Sequence, residues 1–203
     1  MPRATLWQPG PGDGTLRRRG LARRRQPAAE GALDAFVATP FHADPAMASD
    51  PALGWLAALL ATAADRGGLP RRSEITPRRI GPGALPKVLL LQVTGPPRRY
   101  LIRLVGTELV RSSGRDNTGR YFDELAEEQR GANPYYLQLL DHVADSGTAL
   151  LVAANLFYRD RAWQPVRALV TPVSGNGDGV GYIACAIDLP PGEGQAAPGG
   201  AVS

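Results

Sequence analysis

The stretch of residues 98–125 changes its periodicity midway, and this change constrains the fold more than any other feature of the chain. Its first part alternates in residue type, so that Tyr100, Ile102 and Leu104 point the same way. A period of two with β-branched and aromatic residues predicts a strand whose two faces differ in chemistry. The alternation stops at Gly106, which predicts the end of the strand there.

The second part of this stretch predicts a bent connection rather than a regular element. Thr107 can cap a short helix, and Gly114 would end that helix. The run Asp116-Asn117-Thr118-Gly119 has the composition of a turn. Phe122 then returns as an apolar anchor. A strand followed by two corners and short helical turns therefore predicts a curved wall beside a sheet.

The remaining periodic segments predict an α+β fold. Apolar residues at helical spacing predict an amphipathic helix over residues 51–66, capped by Asp50, and a second helix that begins at Asn133-Pro134. With residues 99–105, the strand-like segments are residues 87–93, 148–158, 163–173 and 180–188. This order predicts a five-stranded antiparallel sheet with helices on one face, preceded by the N-terminal helix. That helix either lies on the sheet of its own domain or pairs with the same helix of a second copy.

Composition divides the chain into four parts. Residues 1–48 mix Gly, Pro, Ala and Arg without periodicity, which predicts a disordered basic leader. Residues 49–68 form the N-terminal helix, residues 69–189 the main domain, and residues 190–203 a disordered tail. Met47 also resembles a natural start, so we consider the hypothesis that the leader is not translated. A peptide spanning Ala46 and Met47 in mass spectra of the native protein would exclude it.

Charge argues against a nucleic-acid partner for the folded part. The formal net charge is +4, but residues 1–46 hold 7 Arg and 4 acids, whereas residues 47–203 hold 16 basic residues and 15 acids. The basicity therefore lies mostly in the leader, and the body has no strong electrostatic signature for DNA. No apolar run is long enough for a membrane span, and no secretory signal opens the chain. The single cysteine, Cys185, forms no internal disulfide, which favours a cytoplasmic location.

Several short motifs resemble a family of stand-alone bacterial PAS-like proteins within the PAS sensor superfamily. They lie between about residues 69 and 189, or roughly 60% of the chain. The motifs are Leu69-Pro70-Arg71-Arg72-Ser73, Ile75-Thr76-Pro77, Leu85-Pro86, the segment Tyr100 to Gly106, and Gly114-Arg115-Asp116-x-Thr118-Gly119-Arg120. The resemblance implies a sensory or regulatory domain that binds a small molecule or a signalling protein. It also favours a homodimer through the 51–66 helix, because PAS-like domains often dimerise through a helix that precedes the fold.

A sheet with helices on one face can leave an apolar pocket between the two layers. The candidate pocket residues come from the second strand, the corner, the long helix and the last three strands, and a filled core without a ligand is the alternative. They are Tyr100, Ile102, Leu104, Phe122, Tyr136, Leu140, Phe157, Val170 and Tyr182, with Arg115 as the polar candidate. Arg115 can instead brace the corner together with Asp116.

The sequence favours no cofactor and no metal. Some PAS domains bind haem through a histidine on the long helix, but His142 lies about 120° from the centre of that helix's apolar face, at about 100° per residue. We therefore expect a solvated surface histidine. Flavin-binding relatives carry a reactive cysteine near the corner, where this chain has Gly114-Arg115-Asp116-Asn117-Thr118. Cys185 lies in the last strand and is predicted to be a small core residue.

Three functional hypotheses remain at the level of sequence. The first is a PAS-like sensor or adaptor with no output module in the chain, which acts through a partner or through self-association. The second is an interaction scaffold or dimerisation module with a solid core and no ligand. The third is a small enzyme, and the lack of a histidine–nucleophile pair or a metal-binding motif makes it the weakest.

Overall fold

A computed structural model describes the central part of the chain and three short N-terminal pieces. The described residues are 8–9, 16–17, 37–41, 47, 49–128, 135–156, 164–175 and 179–189. The strands are β1 Gln8–Pro9, β2 Leu16–Arg17, β3 Val37–Pro40, β4 Val88–Thr94, β5 Arg99–Val105, β6 Leu150–Leu156, β7 Gln164–Ser174 and β8 Val180–Asp188. The helices are α1 Pro51–Asp65, α2 Pro77–Ile80, α3 Thr107–Ser113, α4 Phe122–Glu128 and α5 Tyr135–Ser146. Two short 3-10 turns cover Arg72–Glu74 and Leu85–Lys87.

Six strands form one antiparallel sheet in the order β3-β6-β7-β8-β4-β5, while β1 and β2 form a separate pair. The antiparallel α+β architecture is confirmed. The sheet has one strand more than predicted, because β3 pairs with β6 at the edge of the sheet. These four residues, like those of β1 and β2, lie within the stretch for which the sequence predicts a disordered leader. They were missed because the stretch around them has no sustained period-two pattern.

Helices cover both faces of the sheet. On one face α5 and the bent connection enclose the α5-side core, formed by Ala38, Leu91, Tyr100, Ile102, Leu139, Leu140, Val143, Leu150, Val152, Ala168, Val170, Ile183 and Cys185. On the other face α1 and residues 70–86 enclose the α1-side core, formed by Met47, Ala52, Leu53, Leu56, Ile75, Ile80, Ala84, Val88, Leu90, Leu169, Val173, Ala184 and Ala186. Of the two placements left open for the N-terminal helix, the structure shows the first, in which α1 lies on the sheet of its own domain.

The start of α1 follows the predicted cap. The Asp50 carboxylate accepts hydrogen bonds from the backbone N–H groups of Ala52 and Leu53, at 2.9 and 3.0 Å. Pro51 occupies the first helical position, where its missing N–H costs nothing. Leu53 and Leu56 are fully buried against the sheet. A 15-residue helix is marginal on its own, so this burial supplies most of its stability.

The bent connection has its first corner at a glycine that the fold requires. The N–H of Gly106 donates to the carbonyl of Val88 at 2.8 Å, so the chain lies beside the first residue of β4 at this corner. A Cβ on Gly106 would overlap the backbone carbonyl of Pro86. Gly106 also occupies the N-cap of α3 without a side-chain bond, so the prediction that Thr107 caps this helix is wrong. Gly114 ends α3 in the left-handed conformation, as predicted.

The second corner of the bent connection protects the outer edge of β5. The N–H of Gly119 donates to the carbonyl of Ile102 at 2.8 Å, and the N–H of Ile102 donates to the carbonyl of Arg120 at 2.9 Å. The Asp116 side chain accepts from the N–H of Thr118 at 2.8 Å, which is the turn chemistry expected there. An edge strand that is paired in this way is less open to intermolecular pairing. Within the described residues, no helix is long and apolar enough to span a bilayer.

Candidate functional site

The α5-side core brings together residues from four separate elements. Tyr100 and Ile102 on β5 are each 2% exposed, and Leu140 on α5 and Val170 on β7 are 4% and 3% exposed. Phe122, at the start of α4, is half-buried and packs against the same core. These five candidate pocket residues therefore face one region between the sheet and α5, as the alternation in β5 and the spacing in α5 predict.

A β-bulge moves Leu104 to the other side of the sheet. Leu91 pairs with Ile102, but the preceding residue Leu90 pairs with Leu104, so Arg103 has no partner on β4. One extra residue in a strand shifts the side-chain alternation by one position. Leu104 consequently packs against the α1-side core, and its assignment to the pocket is wrong. Strict alternation in the sequence gives no sign of this bulge.

Tyr182 also lies on the opposite face from the one predicted. Its neighbour Ile183 belongs to the α5-side core, and because successive side chains of a strand alternate, Tyr182 faces the α1 side. The guanidinium of Arg72 lies 5.4 Å from the centroid of the Tyr182 ring. The sequence favoured the aromatic Tyr182 as the pocket residue of this strand, so its neighbour Ile183, which faces the α5-side core, was missed.

The other candidates contribute less to the α5-side core. Tyr136 is half-buried at the start of α5 and takes part in further interactions. Arg115 is exposed, and its Nε donates to Oδ1 of Asn117 at 2.9 Å, so it braces the corner through Asn117, whereas the alternative named Asp116. Asn117 itself is only 8% exposed. Phe157 lies outside the described residues, so its assignment stays a prediction.

The buried phenol of Tyr100 gives this core a polar group, whose partner Asp141 was not among the sequence candidates. The Tyr100 hydroxyl donates to Oδ1 of Asp141 on α5 at 2.5 Å, which ties β5 to the helix. Burial, followed by the neighbouring carboxylate, raises the pKa of Tyr100 well above its usual range, so the phenol stays protonated. A buried tyrosine hydroxyl usually finds a partner, and Asp141, adjacent to Leu140, could have been identified on that ground.

Arg98 extends this contact to the last turns of α5. One of its amino groups lies 2.7 Å from Oδ1 of Asp145, and the other lies 3.7 Å from Oδ1 of Asp141. The hydrogen bond from Arg98 lowers the pKa of Asp145, although burial opposes it slightly. Arg98 and Tyr100 together therefore hold α5 over β5 through two acids one helical turn apart.

The next residue along β5, Arg99, holds α4 instead. Its Nε lies 2.9 Å from Oδ2 of Asp123, and one of its amino groups lies 2.9 Å from Oε1 of Glu124. The guanidinium also lies 3.7 Å from the centroid of the Tyr121 ring. Two consecutive arginines at the start of β5 thus fix the two helices that border the α5-side core.

Sequence comparison identifies the fold family. A family model described as "PAS domain" matches residues 55–183, which is more than half of the chain. The chain belongs to the PAS domain family. The match runs from Trp55 in α1, through the bent connection, to Ile183 in β8. No curated protein sequence matches the chain.

Two solved structures resemble this PAS domain at low identity. The LOV protein of Rhodobacter sphaeroides is 15% identical, with a TM-score of 0.40, and the match covers 53% of this chain and 60% of that one. An RNA-binding light-oxygen-voltage receptor is also 15% identical, with a TM-score of 0.45, over 77% of this chain and 39% of that one. This chain therefore matches less than two thirds of the length of either protein.

His142 is more enclosed in the PAS domain than expected. It is half-buried on α5 rather than solvated, so the expectation of a surface histidine is wrong in that respect. Burial lowers the pKa of His142, and the nearby Asp145 only partly offsets this, so the imidazole is neutral near pH 7.

Cys185 lies in the α5-side core and is 5% exposed. Burial raises its pKa to about 12, so the thiol is not ionised near neutral pH and is a poor nucleophile. Its position in the core is the one predicted from its alanine neighbours. Among the described residues, no group of three or more His, Cys, Asp or Glu side chains is placed to hold a metal ion.

Proposed function

We propose that this PAS domain is a sensory module that takes a small ligand between α5 and the sheet and signals through α1. The observation that supports this most directly is the convergence of Tyr100, Ile102, Leu140 and Val170 on one region beneath α5. Binding sites of this kind are mostly apolar with a few polar groups that fix orientation. The Tyr100–Asp141 hydrogen bond is such a group.

The class of ligand follows from the side chains that would contact it. Ile102, Leu140 and Val170 offer only apolar surface, so the body of the ligand is apolar. The phenol of Tyr100 can rotate its hydrogen from Asp141 to a carbonyl or hydroxyl oxygen of the ligand. We therefore propose a compact apolar molecule with one hydrogen-bond acceptor, held in a cytoplasmic protein that is not an enzyme.

The route to α1 is supported by the two faces of the central strands. Val170 and Ile183 face α5, whereas their neighbours Leu169 and Ala184 face α1. A ligand that displaces α5 changes the packing on one side of β7 and β8, and α1 rests on the other side. Because packed layers transmit small shifts, α1 is the element most directly affected.

The receiving end of this signal is proposed to be a second copy of the chain or a signalling protein. Residues 51–64 of α1 carry no charged side chain, and Ala58 and Ala61 on the outer side are exposed. A helix without charge on its outer side is suited to a contact with another apolar surface. The A58E/A61E variant should be monomeric under conditions in which the wild type sediments as a dimer. A dimer that persists in this variant would exclude the α1 contact.

The ligand proposal can be tested with a matched pair of variants on β5. Ile102→Phe adds volume on the α5 side, and Leu104→Phe adds the same kind of volume on the α1 side, two residues away. Protein isolated from its own source should carry a small molecule in native mass spectra. Ile102→Phe should lose it, and Leu104→Phe should retain it, at comparable melting temperatures. No bound molecule in the wild type, or equal loss in both variants, would contradict the proposal.

A ligand-free interaction scaffold is the second candidate function. It is supported by the near-complete burial of the α5-side core, where Ile183, Leu91 and Val143 are all 0% exposed. Side chains that fill a core in this way leave the domain to act through its surfaces alone. In the same mass spectra, a stable protein partner without a small molecule would favour the scaffold.

A further inference from the structure

The near-neutral net charge of the PAS domain hides a local excess of arginine on the α1 side of the sheet. Residues 65–79 hold five arginines and two acids. They lie on the α1 side, because Ile75 and Ile80 belong to the α1-side core. The helices α4 and α5 on the opposite side hold six acids, but four of these pair with Arg98 or Arg99 beside them. The net charge of the body is therefore a poor guide to what its surfaces can bind.

The two acids of this segment, Asp65 and Glu74, neutralise only part of the positive charge of its arginines. Glu74 forms a two-point contact with Arg66, with both N–O distances at 3.0 Å, and also accepts the backbone N–H of Arg71 at 2.8 Å. That backbone bond, more than Arg66, lowers the pKa of Glu74 and keeps it anionic. Asp65 is exposed at the end of α1. One arginine is thus matched to Glu74, and the remaining four outnumber Asp65.

The other arginines are presented by a segment that is firmly anchored. Arg71, Arg78 and Arg79 are exposed, and no ion pair of the last two is present among the described residues. Buried Ile75 and Ile80 hold the backbone between and beside them. We call Arg71, Arg78 and Arg79 the arginine platform.

The backbone of this segment is also tied to β7 and to its own helix cap. The N–H and hydroxyl of Ser174 both donate to the carbonyl of Pro70, at 2.8 and 3.2 Å. Thr76 caps α2, whose residues Arg78 and Arg79 belong to the platform. An anchored backbone does not have to be ordered on binding, so only the arginine side chains lose freedom, which favours binding of an extended anion.

We propose that the arginine platform binds the phosphate backbone of a nucleic-acid duplex. The exposed residues of the segment 65–83 are Asp65, Arg66, Gly67, Gly68, Arg71, Ser73, Pro77, Arg78, Arg79, Pro82 and Gly83. None is a large apolar or aromatic residue, whereas protein interfaces need such anchors and membrane surfaces need apolar insertion. Phosphate contacts need only guanidinium groups, and single strands would need aromatic side chains for stacking.

This inference is independent of the ligand proposed beneath α5, and it departs from the expectation based on the average charge of the body. The test is fluorescence anisotropy of the full chain with a labelled duplex of scrambled sequence, repeated over a range of salt concentrations. Three phosphate contacts predict a slope of log affinity against log salt of about −2.7 from the platform alone. The R78Q/R79Q variant should bind about tenfold more weakly or worse, with a slope smaller in magnitude by about 1.8.

The matched control is R103Q/R111Q, which removes two exposed arginines from β5 and α3. Both variants keep the basic leader, so the difference between them isolates the platform. An equal effect in both variants, or no effect of R78Q/R79Q, would overturn the proposal. Tighter binding to a single strand or to anionic vesicles than to the duplex would also overturn it.

Discussion

Lys87 is the only lysine of the chain, and it joins α1 to the end of β8. Its Nζ lies 2.6 Å from Oδ2 of Asp50, the cap of α1, and 3.3 Å from Oδ1 of Asp188. Arg167 donates to the other oxygen of Asp188 at 3.0 Å. Because the Asp50 side chain is 7% exposed, Lys87→Met would leave an almost buried carboxylate without its counter-ion.

The cost of this change can be estimated from the geometry. Removing one partner of a fully buried ion pair costs about 3–5 kcal/mol. Lys87 keeps 18% of its side chain exposed, and Asp50 would keep its two backbone N–H partners, so we expect a cost just below this range. A loss of about 2–3 kcal/mol in the free energy of unfolding follows. In a domain of this size it lowers the melting temperature by about 5–10 °C.

The assay is chemical denaturation of the wild type, Lys87→Met, Asp50→Asn and the double variant. Asparagine still caps a helix and carries no charge, so Asp50→Asn alone should cost at most about 1 kcal/mol. In the double variant no uncompensated charge remains, and the total cost should be at least about 1 kcal/mol below the sum of the single costs. Arg78→Met serves as the control for the loss of an exposed basic side chain.

Two results would refute the reasoning about this ion pair. One is a Lys87→Met variant that loses no more stability than Arg78→Met, because Asp50 would then not need its counter-ion. The other is strict additivity in the double variant, because the two side chains would then act independently. Amide exchange at the first turn of α1 gives a local check. If Asp50 loses its counter-ion, its hydrogen bonds to the N–H groups of Ala52 and Leu53 should weaken, and these two amides should exchange faster.

Three further predictions follow from the described contacts. Tyr100→Phe should lower the free energy of unfolding by about 1 kcal/mol in urea, because Asp141 is half exposed and regains water, and Asp141→Asn should cost less. Gly106→Ala should cost about 1–3 kcal/mol, because its Cβ meets the carbonyl of Pro86, whereas Gly68→Ala, with open space around it, should be close to neutral. Melting temperatures should decline modestly as the pH falls below about 6.5, because burial lowers the pKa of His142 and only the unfolded chain readily takes up that proton, and they should fall further below about pH 4.

The acid limit follows from the sign of the pKa shifts. Burial alone would raise the pKa of Asp50, but the hydrogen bonds from Lys87 and from the backbone of Leu53 and Ala52 outweigh it and lower the pKa. Glu74 is lowered chiefly by the backbone N–H of Arg71. A carboxylate whose folded pKa is depressed contributes stability above its unfolded pKa, and that stability is lost as the pH falls through the folded value. A melting temperature that rises on acidification would contradict this.

Regular patterns made the central strands and the main helices predictable. The predicted strand 99–105 has the bounds of β5, and the cap at Asp50 and Pro51 marks the start of α1. The last strand was placed at residues 180–188, as β8 has it. In these segments local propensity and burial favour the same structure, so sequence alone suffices.

Two side chains of the candidate site were misplaced for different physical reasons. The error at Leu104 comes from a bulge, which depends on how two strands meet and leaves no trace in one strand's sequence. The error at Tyr182 comes from assigning an aromatic residue to the pocket without testing the parity of β8 against Ile183. The short strand β3 has only four residues and acquires its structure from pairing with β6, so no local pattern marks it.

The sheet links the proposed ligand site beneath α5 to the proposed signalling helix α1, because each central strand contributes alternate residues to both cores. Leu169 and Ala184 support α1, while Val170 and Ile183 support α5, and only the thickness of the sheet separates them. Lys87 then fixes the start of α1 to the end of β8, so a shift of β8 reaches the cap of α1 through an ion pair as well as through packing. A ligand beneath α5 should therefore alter amide exchange at the start of α1 in the wild type. The response should weaken in Lys87→Met, while the ligand affinity, which depends on the other face, should change little.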